Sequence, residues 1–177
     1  MKTDRTWITV RIDGKIAAVS TDYRLLARIA SQGKIYGEIT ATSSSFEDIW
    51  KLRQETQWDD LMLFGTDFQK RVWRKLWELT HTADTEAHLI CYSDFAELCQ
   101  NRAGVRAVAH AIGLNPVSVI IPCHLVIPKE GIDKINDIRR KAESTIFKGD
   151  DLCLGNILAD TSIDFGEYTL RKKLKRE

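Results

Sequence analysis

The stretch RAVAHAIGLNPVSVIIPCH, residues 106–124, carries most of what this chain says about itself. It opens on a short run with apolar residues at helical spacing, Val105 to Ile112. It passes through Asn115-Pro116, a turn signal, into Val117-Ser118-Val119-Ile120-Ile121. That β-branched run predicts a buried strand. The run stops at Pro122, directly before Cys123-His124. A cysteine attacks as its thiolate, and a neighbouring histidine is a recurring device for activating it. Adjacency alone is weak support, because neighbouring side chains on a strand point to opposite faces. Taken without their surroundings, Pro122, Cys123 and His124 favour a buried cysteine beside a surface histidine.

Working upstream, Ser93 is placed to cap a short helix over Asp94 to Gln100, and Asn101-Arg102-Ala103-Gly104 forms a polar turn into the helix that begins at Val105. Two short helices around a tight turn containing glycine suggest a helix-turn-helix. Further upstream, Thr66 or Asp67 caps an amphipathic helix, FQKRVWRKLWELT, residues 68–80. Phe68, Val72, Leu76 and Leu79 are expected to face the core, with Trp73 and Trp77 as a neighbouring stripe. Lys70, Arg71, Arg74 and Lys75 read first as a solvated face. The amino-terminal part reads as a β-hairpin turning at Asp13-Gly14, a helix from Tyr23 to Ser31, a Thr/Ser-rich strand over 37–45, and a helix from Phe46 capped by Ser44 or Ser45. A charged helix over 133–147, a turn at 149–151 and a basic helical tail over 171–177 are expected towards the other end.

Composition narrows the classes. The 177 residues are 44% hydrophobic and 29% charged, as in a globular protein with its own core. A net charge of +1 neither demands nor excludes nucleic acid, so any basic surface is local. No apolar run has the length of a membrane span, and MKTDRTWITVRIDG holds no apolar leader segment; a cytoplasmic protein is expected. Cys91, Cys99, Cys123 and Cys153 form no CxxC pair and no zinc-like spacing, so no metal is expected.

The residues quoted match a family. Arg106-Ala107-Val108, Asn115-Pro116 and Ile121-Pro122-Cys123-His124 resemble the signature of the O6-alkylguanine-DNA alkyltransferases, the methylated-DNA–protein-cysteine methyltransferases. Cys91-Tyr92-Ser93-Asp94-Phe95-Ala96 resembles the family's opening of its helix-turn-helix, and Gly65-Thr66-Asp67-Phe68-Gln69 through Val72-Trp73 resembles its preceding helix. The match spans roughly 65–128, with the segments in family order.

The resemblance implies an α+β protein: a small amino-terminal β/α domain of ribonuclease-H-like type over 1–62, and a mostly helical domain over 63–177. It implies an irreversible, single-turnover transfer of an alkyl group from guanine O6 in double-stranded DNA to Cys123, by a monomer without cofactor. In that picture His124 is the base acting through a water, and the glutamate that orients the histidine falls on Glu177, with Glu167 as an alternative. Arg106 fills the gap left by the flipped base, Tyr92 crowds the phosphate, and Ala107, Ala109, Ala111 and Gly113 permit close approach in the minor groove. Asn115 and Pro122 support the site turn, and Tyr168 donates to the base. This sequence departs from the family pattern at Leu125, where an arginine is usual, and in the long insertion between Gly131 and Tyr168, after which Arg-Trp-Gly is missing. Those departures keep two other readings open: a lesion-binding protein of the same fold that does not transfer, and a helix-turn-helix regulator with a reactive cysteine.

Overall fold

The computed structural model describes residues 6–81 and 89–133. The expected features over 134–177, with Tyr168 and Glu177 among them, lie outside the described residues. The described chain is a mixture of helix and sheet that falls into two compact units, one of residues 6–81 with 110–123 and one of 89–109 with 124–133.

The first unit is built on a three-stranded antiparallel sheet. Strand β1 (Trp7–Ile12) lies between β2 (Lys15–Ser20) and β3 (Ile39–Ser44). The hairpin turn is the expected Asp13-Gly14, with φ of 47° and 82° at the two residues. Both angles are positive, as the turn type that matches the twist of a two-residue hairpin requires. The β1–β2 register runs from Ile8 opposite Ser20 to Ile12 opposite Lys15, with an irregularity between Val10 and Arg11. The β1–β3 register is regular from Trp7 opposite Ser44 to Ile12 opposite Ile39.

Helix α1 (Tyr23–Gly33) starts because Asp22 accepts from the Arg24 amide, 2.9 Å. Its Leu26 and Ile29 pack into the cluster of Val10, Ile12, Ala17 and Ala18. Burying such a cluster is the main term holding the unit together. Helix α2 (Phe46–Glu55) is capped by Ser45 through a reciprocal box with Asp48. Helix α3 (Asp67–His81) carries a second such box, Gln69 N–H to Thr66 Oγ1 at 3.1 Å and Thr66 N–H to Gln69 Oε1 at 2.9 Å.

The buried stripe of α3 is Val72, Trp73, Leu76 and Trp77. This corrects the expectation that Phe68 and Leu79 form the core with the tryptophans beside it; both are only half-buried. The indole rings offer more apolar area than Leu or Phe, so the helix rotates to bury them. Of the basic residues, Lys70, Arg71 and Lys75 are exposed, as a solvated face requires. Arg74 lies over the Trp58 and Trp77 rings, 4.9 and 4.8 Å from their centroids. Arg74 and Lys75 both reach Glu78, at 3.3 and 3.0 Å. Burial pushes the Glu78 carboxyl up, but the hydrogen bonds from Lys75 and then Arg74, with their charges, outweigh it and hold the group below its ordinary range.

The open edge of β2 takes up later chain. Met62 donates to the Ile16 carbonyl (2.9 Å), Val19 donates to the Pro116 carbonyl (2.9 Å), and Ser118 donates to the Val19 carbonyl (2.9 Å). Residues 117–121 are buried as expected, except that Ser118 is partly exposed, but they are not a strand. Only single bridges form, Val19 with Val117 and Ser118 with Ile121, because the chain reverses at Val119.

The second unit holds a two-residue parallel pair, β4 (Ile90–Cys91) with β5 (Val126–Ile127). Helix α4 (Tyr92–Leu98) follows β4 without a break. It starts before the expected Asp94: Cys91, not Ser93, is the capping residue, and it makes no side-chain cap bond. Phe95 and Ala96 are buried, so the helix is placed by packing rather than by its cap. It ends with Gln100 at φ 55°, Gln100 N–H bonded to the Glu97 carbonyl and Asn101 N–H to the Ala96 carbonyl, the reversal that satisfies the last carbonyls of a helix. A 3-10 turn (Arg102–Gly104) leads into helix α5 (Val105–Gly113), as the polar turn and apolar spacing predict.

Candidate active site

Residues 115–127 form a continuous buried segment with two breaks, Ser118 and Cys123. A cysteine attacks as its thiolate, which apolar burial disfavours, and Cys123 is one of the two places where this run is not buried. Cys123 and His124 share the 3-10 turn Cys123–Leu125, and His124 is only 1% exposed. A buried imidazole beside a partly exposed thiol reverses the expectation drawn from the three residues alone, which put the histidine at the surface. Leu125, where the arginine is missing, is also fully buried, so this turn rests on apolar packing.

The turn is tied by Asn115. This residue is buried; its Nδ2 donates to the Ile121 carbonyl at 2.8 Å and reaches the Val117 carbonyl at 3.5 Å. Its Oδ1 accepts from the Val117 amide at 3.0 Å. The Ile121 carbonyl also accepts from the Cys123 amide, at 2.8 Å, so one carbonyl joins the asparagine to the cysteine backbone. Buried polar groups must be paired, and each member of this knot pairs another.

Asn115 is in turn held by the end of α5, through its own amide to the Ile112 carbonyl at 3.2 Å. One carbonyl earlier, Ala111 accepts from the buried indole of Trp73 at 2.8 Å. Carbonyls at a helix end lack α-helical partners, and that of Ala111 takes the Leu114 amide at 3.2 Å as well as the Trp73 indole. The outer edge of the indole lies close to Gly65: a Cβ there would sit 2.6 Å from the ring. Any larger residue would push the ring away.

The expected DNA-contacting residues divide by exposure. Arg106, Ala107 and Gly113 are exposed, and Ala109 and Tyr92 are half-buried. Ala111 is buried at 1% and faces inward, so its contribution is the carbonyl that Trp73 holds, and the outer face of α5 does not include it. Within the first unit the Ile121 carbonyl joins the Asn115 side chain to the Cys123 amide, with Pro122 between them in the chain; Tyr92 opens α4 and Arg106 lies in the first turn of α5. Sequence reasoning missed Trp73 as a hydrogen-bond donor and Val119 as a turn. The first had a signal in the Gly65 and Trp73 spacing; the second had none, because Val is a strand former. Cys91, Cys99 and Cys123 stand as thiols, and Cys91 Sγ lies 3.2 Å from Ser93 Oγ. No helix among the described residues is long and apolar enough to cross a membrane.

Comparison with known proteins shows what the segment is similar to. Residues 67–144 match the family model for the 6-O-methylguanine DNA methyltransferase DNA-binding domain. A mimivirus protein, "Probable methylated-DNA--protein-cysteine methyltransferase", is 44% identical over 70 residues, 40% of this chain and 44% of that protein. The inducible methylated-DNA–protein-cysteine methyltransferase of Bacillus subtilis is 46% identical over 67 residues, 38% of this chain and 35% of its own length. Among solved structures, Mycobacterium tuberculosis OGT in complex with DNA aligns at 38% identity over 40% of each chain, with a TM-score of 0.34. The matched part spans less than half the length of these relatives. Residues 67–144 of this chain are thus similar to the DNA-binding domain of the 6-O-methylguanine DNA methyltransferases.

Proposed function

We propose that this protein repairs DNA by moving an alkyl group from guanine O6 onto its own Cys123. The observation that carries the reading is the placement of Cys123: the partly exposed thiol in a buried run, fastened through the Ile121 carbonyl to Asn115. The Cys123 thiolate attacks the alkyl carbon, the bond from that carbon to O6 breaks, and its electron pair goes to the base. The base takes a proton and guanine is restored. The product is a stable thioether, so each molecule acts once, and the residues supply all the chemistry without a cofactor. His124, adjacent on the same turn, is the base that draws the thiol proton through a water.

In this reading α4, residues 99–104 and α5 act as a helix-turn-helix laid in the minor groove of duplex DNA. Arg106 enters the duplex where the guanine has left, Tyr92 crowds its phosphate, and Ala107, Ala109 and Gly113 let the backbone approach. Tyr168 and Glu177 are assigned to base recognition and histidine orientation by resemblance alone. The amino-terminal domain over 1–62 is ribonuclease-H-like and structural, the domain over 63–177 reacts, and the molecule acts as a monomer in the reducing cytoplasm, where a thiol persists.

The test is the intact mass of the protein after mixing with a duplex carrying one O6-methylguanine, with peptide mapping of any adduct. The expected result is one added methyl, on Cys123, lost in Cys123→Ser while duplex binding persists. No added methyl, with preferential binding of the damaged duplex retained, overturns transfer in favour of a lesion-binding protein of the same fold.

A further inference from the structure

Apart from glycine, three described residues have positive φ: Asp13, Gln100 and Val119. Asp13 sits in a hairpin turn and Gln100 just past a helix end, where such angles are ordinary. Val119 is neither. It is β-branched, 0% exposed, and has φ of 70°. For a β-branched residue this is a true outlier, and such outliers persist only where the surroundings over-determine them.

The surroundings do so here. Ile120 N–H donates to the Ser118 carbonyl at 2.9 Å, closing a three-residue γ-turn of the strained kind around Val119. Ile121 N–H then donates to the Val117 carbonyl at 3.0 Å. The entry to the turn is held on β2 by the Val19 bonds to Pro116 and Ser118. The exit is held by the Asn115 bond to the Ile121 carbonyl. The turn is therefore pinned on both sides, four residues before Cys123.

We propose that Val119 is a positioning residue for Cys123: its left-handed turn aims the thiol. This rests on the reading of Cys123 as the nucleophile. Without the turn, Val117-Ser118-Val119-Ile120-Ile121 would follow its composition and run on as a strand, carrying the cysteine onward by roughly 3.3 Å per residue. The reversal brings Ile121 back against Val117 and Asn115, and the Ile121 carbonyl then fixes the Cys123 amide.

Two variants separate strain from packing. Val119→Ala and Val119→Gly both remove the buried side chain, but only glycine accepts this φ without strain. At an ordinary buried extended position glycine is the less stable of the two. Here Val119→Gly is expected to unfold in urea at the same or a higher concentration than Val119→Ala. Methyl uptake at saturating damaged duplex should run the other way, on the order of 10-fold slower in Val119→Gly than in Val119→Ala, because glycine lets the turn wander and small misplacements are costly. The half-saturating duplex concentration should be unchanged. A merely structural role cannot give higher stability with lower rate. Val119→Gly less stable than Val119→Ala, or equal rates in the two on a reactive wild-type background, overturns the proposal. A wild-type chain that takes up no methyl overturns the reading beneath it, and both fall.

Discussion

The first unit contains two reversals of chain that use left-handed backbone, and they are opposites. At Asp13-Gly14 the residues choose the conformation: Gly14 tolerates φ of 82°, and a Cβ placed there would meet nothing within 4 Å. Asp13 adds its own fastening, accepting from the Glu38 amide at 2.7 Å. At Val119 the residue resists the conformation, and burial with hydrogen bonds on both flanks enforces it. The first turn is local and the second is tertiary. The first joins two strands and could be replaced by another turn sequence; the second lies on the path to the thiol. On the proposed reading, the strain lies where a reactive group is aimed, and the cost is met by the rest of the fold.

The comparison breaks most sharply at Asn115. Asn115→Ala leaves the Val117 amide and its carbonyl partners without the side chain that ties them, and should cost about 2–4 kcal/mol in unfolding free energy. Alkyl transfer should fall with it. Stability close to that of the unaltered protein in a urea titration would show that the turn at Val119 is not enforced by this knot. Next in size, Trp73→Phe keeps the buried ring but removes the donor to the Ala111 carbonyl, for about 1 kcal/mol by the same measurement. A loss several times larger would mean that the indole holds α5 by packing.

Gly14→Ala tests the local turn. With open space around the new Cβ, the cost is backbone strain alone, about 1 kcal/mol, with no change in the rate of methyl uptake. A changed rate would couple the hairpin to the site. The smallest effect concerns Glu78, on helix α3. Its carboxyl is held below its ordinary range, so it contributes stability above that range and loses it as pH falls through its folded value. The Arg74 and Lys75 side chains are 43% and 46% exposed, so Glu78→Gln should cost only about a few tenths of a kcal/mol at neutral pH. The variant and the unaltered protein should converge in melting temperature in acid; a gap that persists there would point to packing rather than charge.

Much was legible in residue order, for identifiable reasons. Asp-Gly between alternating strands, Ser45 three residues before Asp48, and Thr66 three before Gln69 each act through neighbours in the chain, so spacing is enough to read them. Cys123 and His124 were legible as a pair by motif, yet their exposures were not. Which of two adjacent side chains is buried depends on segments distant in the chain, and here the histidine is the buried one. The stripe of α3 was read one position off for a similar reason: helical periodicity gives a face, but the space available to two indoles selects which edge of it turns inward.

By itself, the sequence determined the elements whose hydrogen bonds close within a few residues and the order of those elements. Tertiary structure alone decided that residues 117–121 turn instead of extending. Val and Ile prefer the strand by their own rotamer restrictions; the bonds to Val19, made across the fold, together with the Asn115 knot closed within the segment itself, outweigh that preference at Val119.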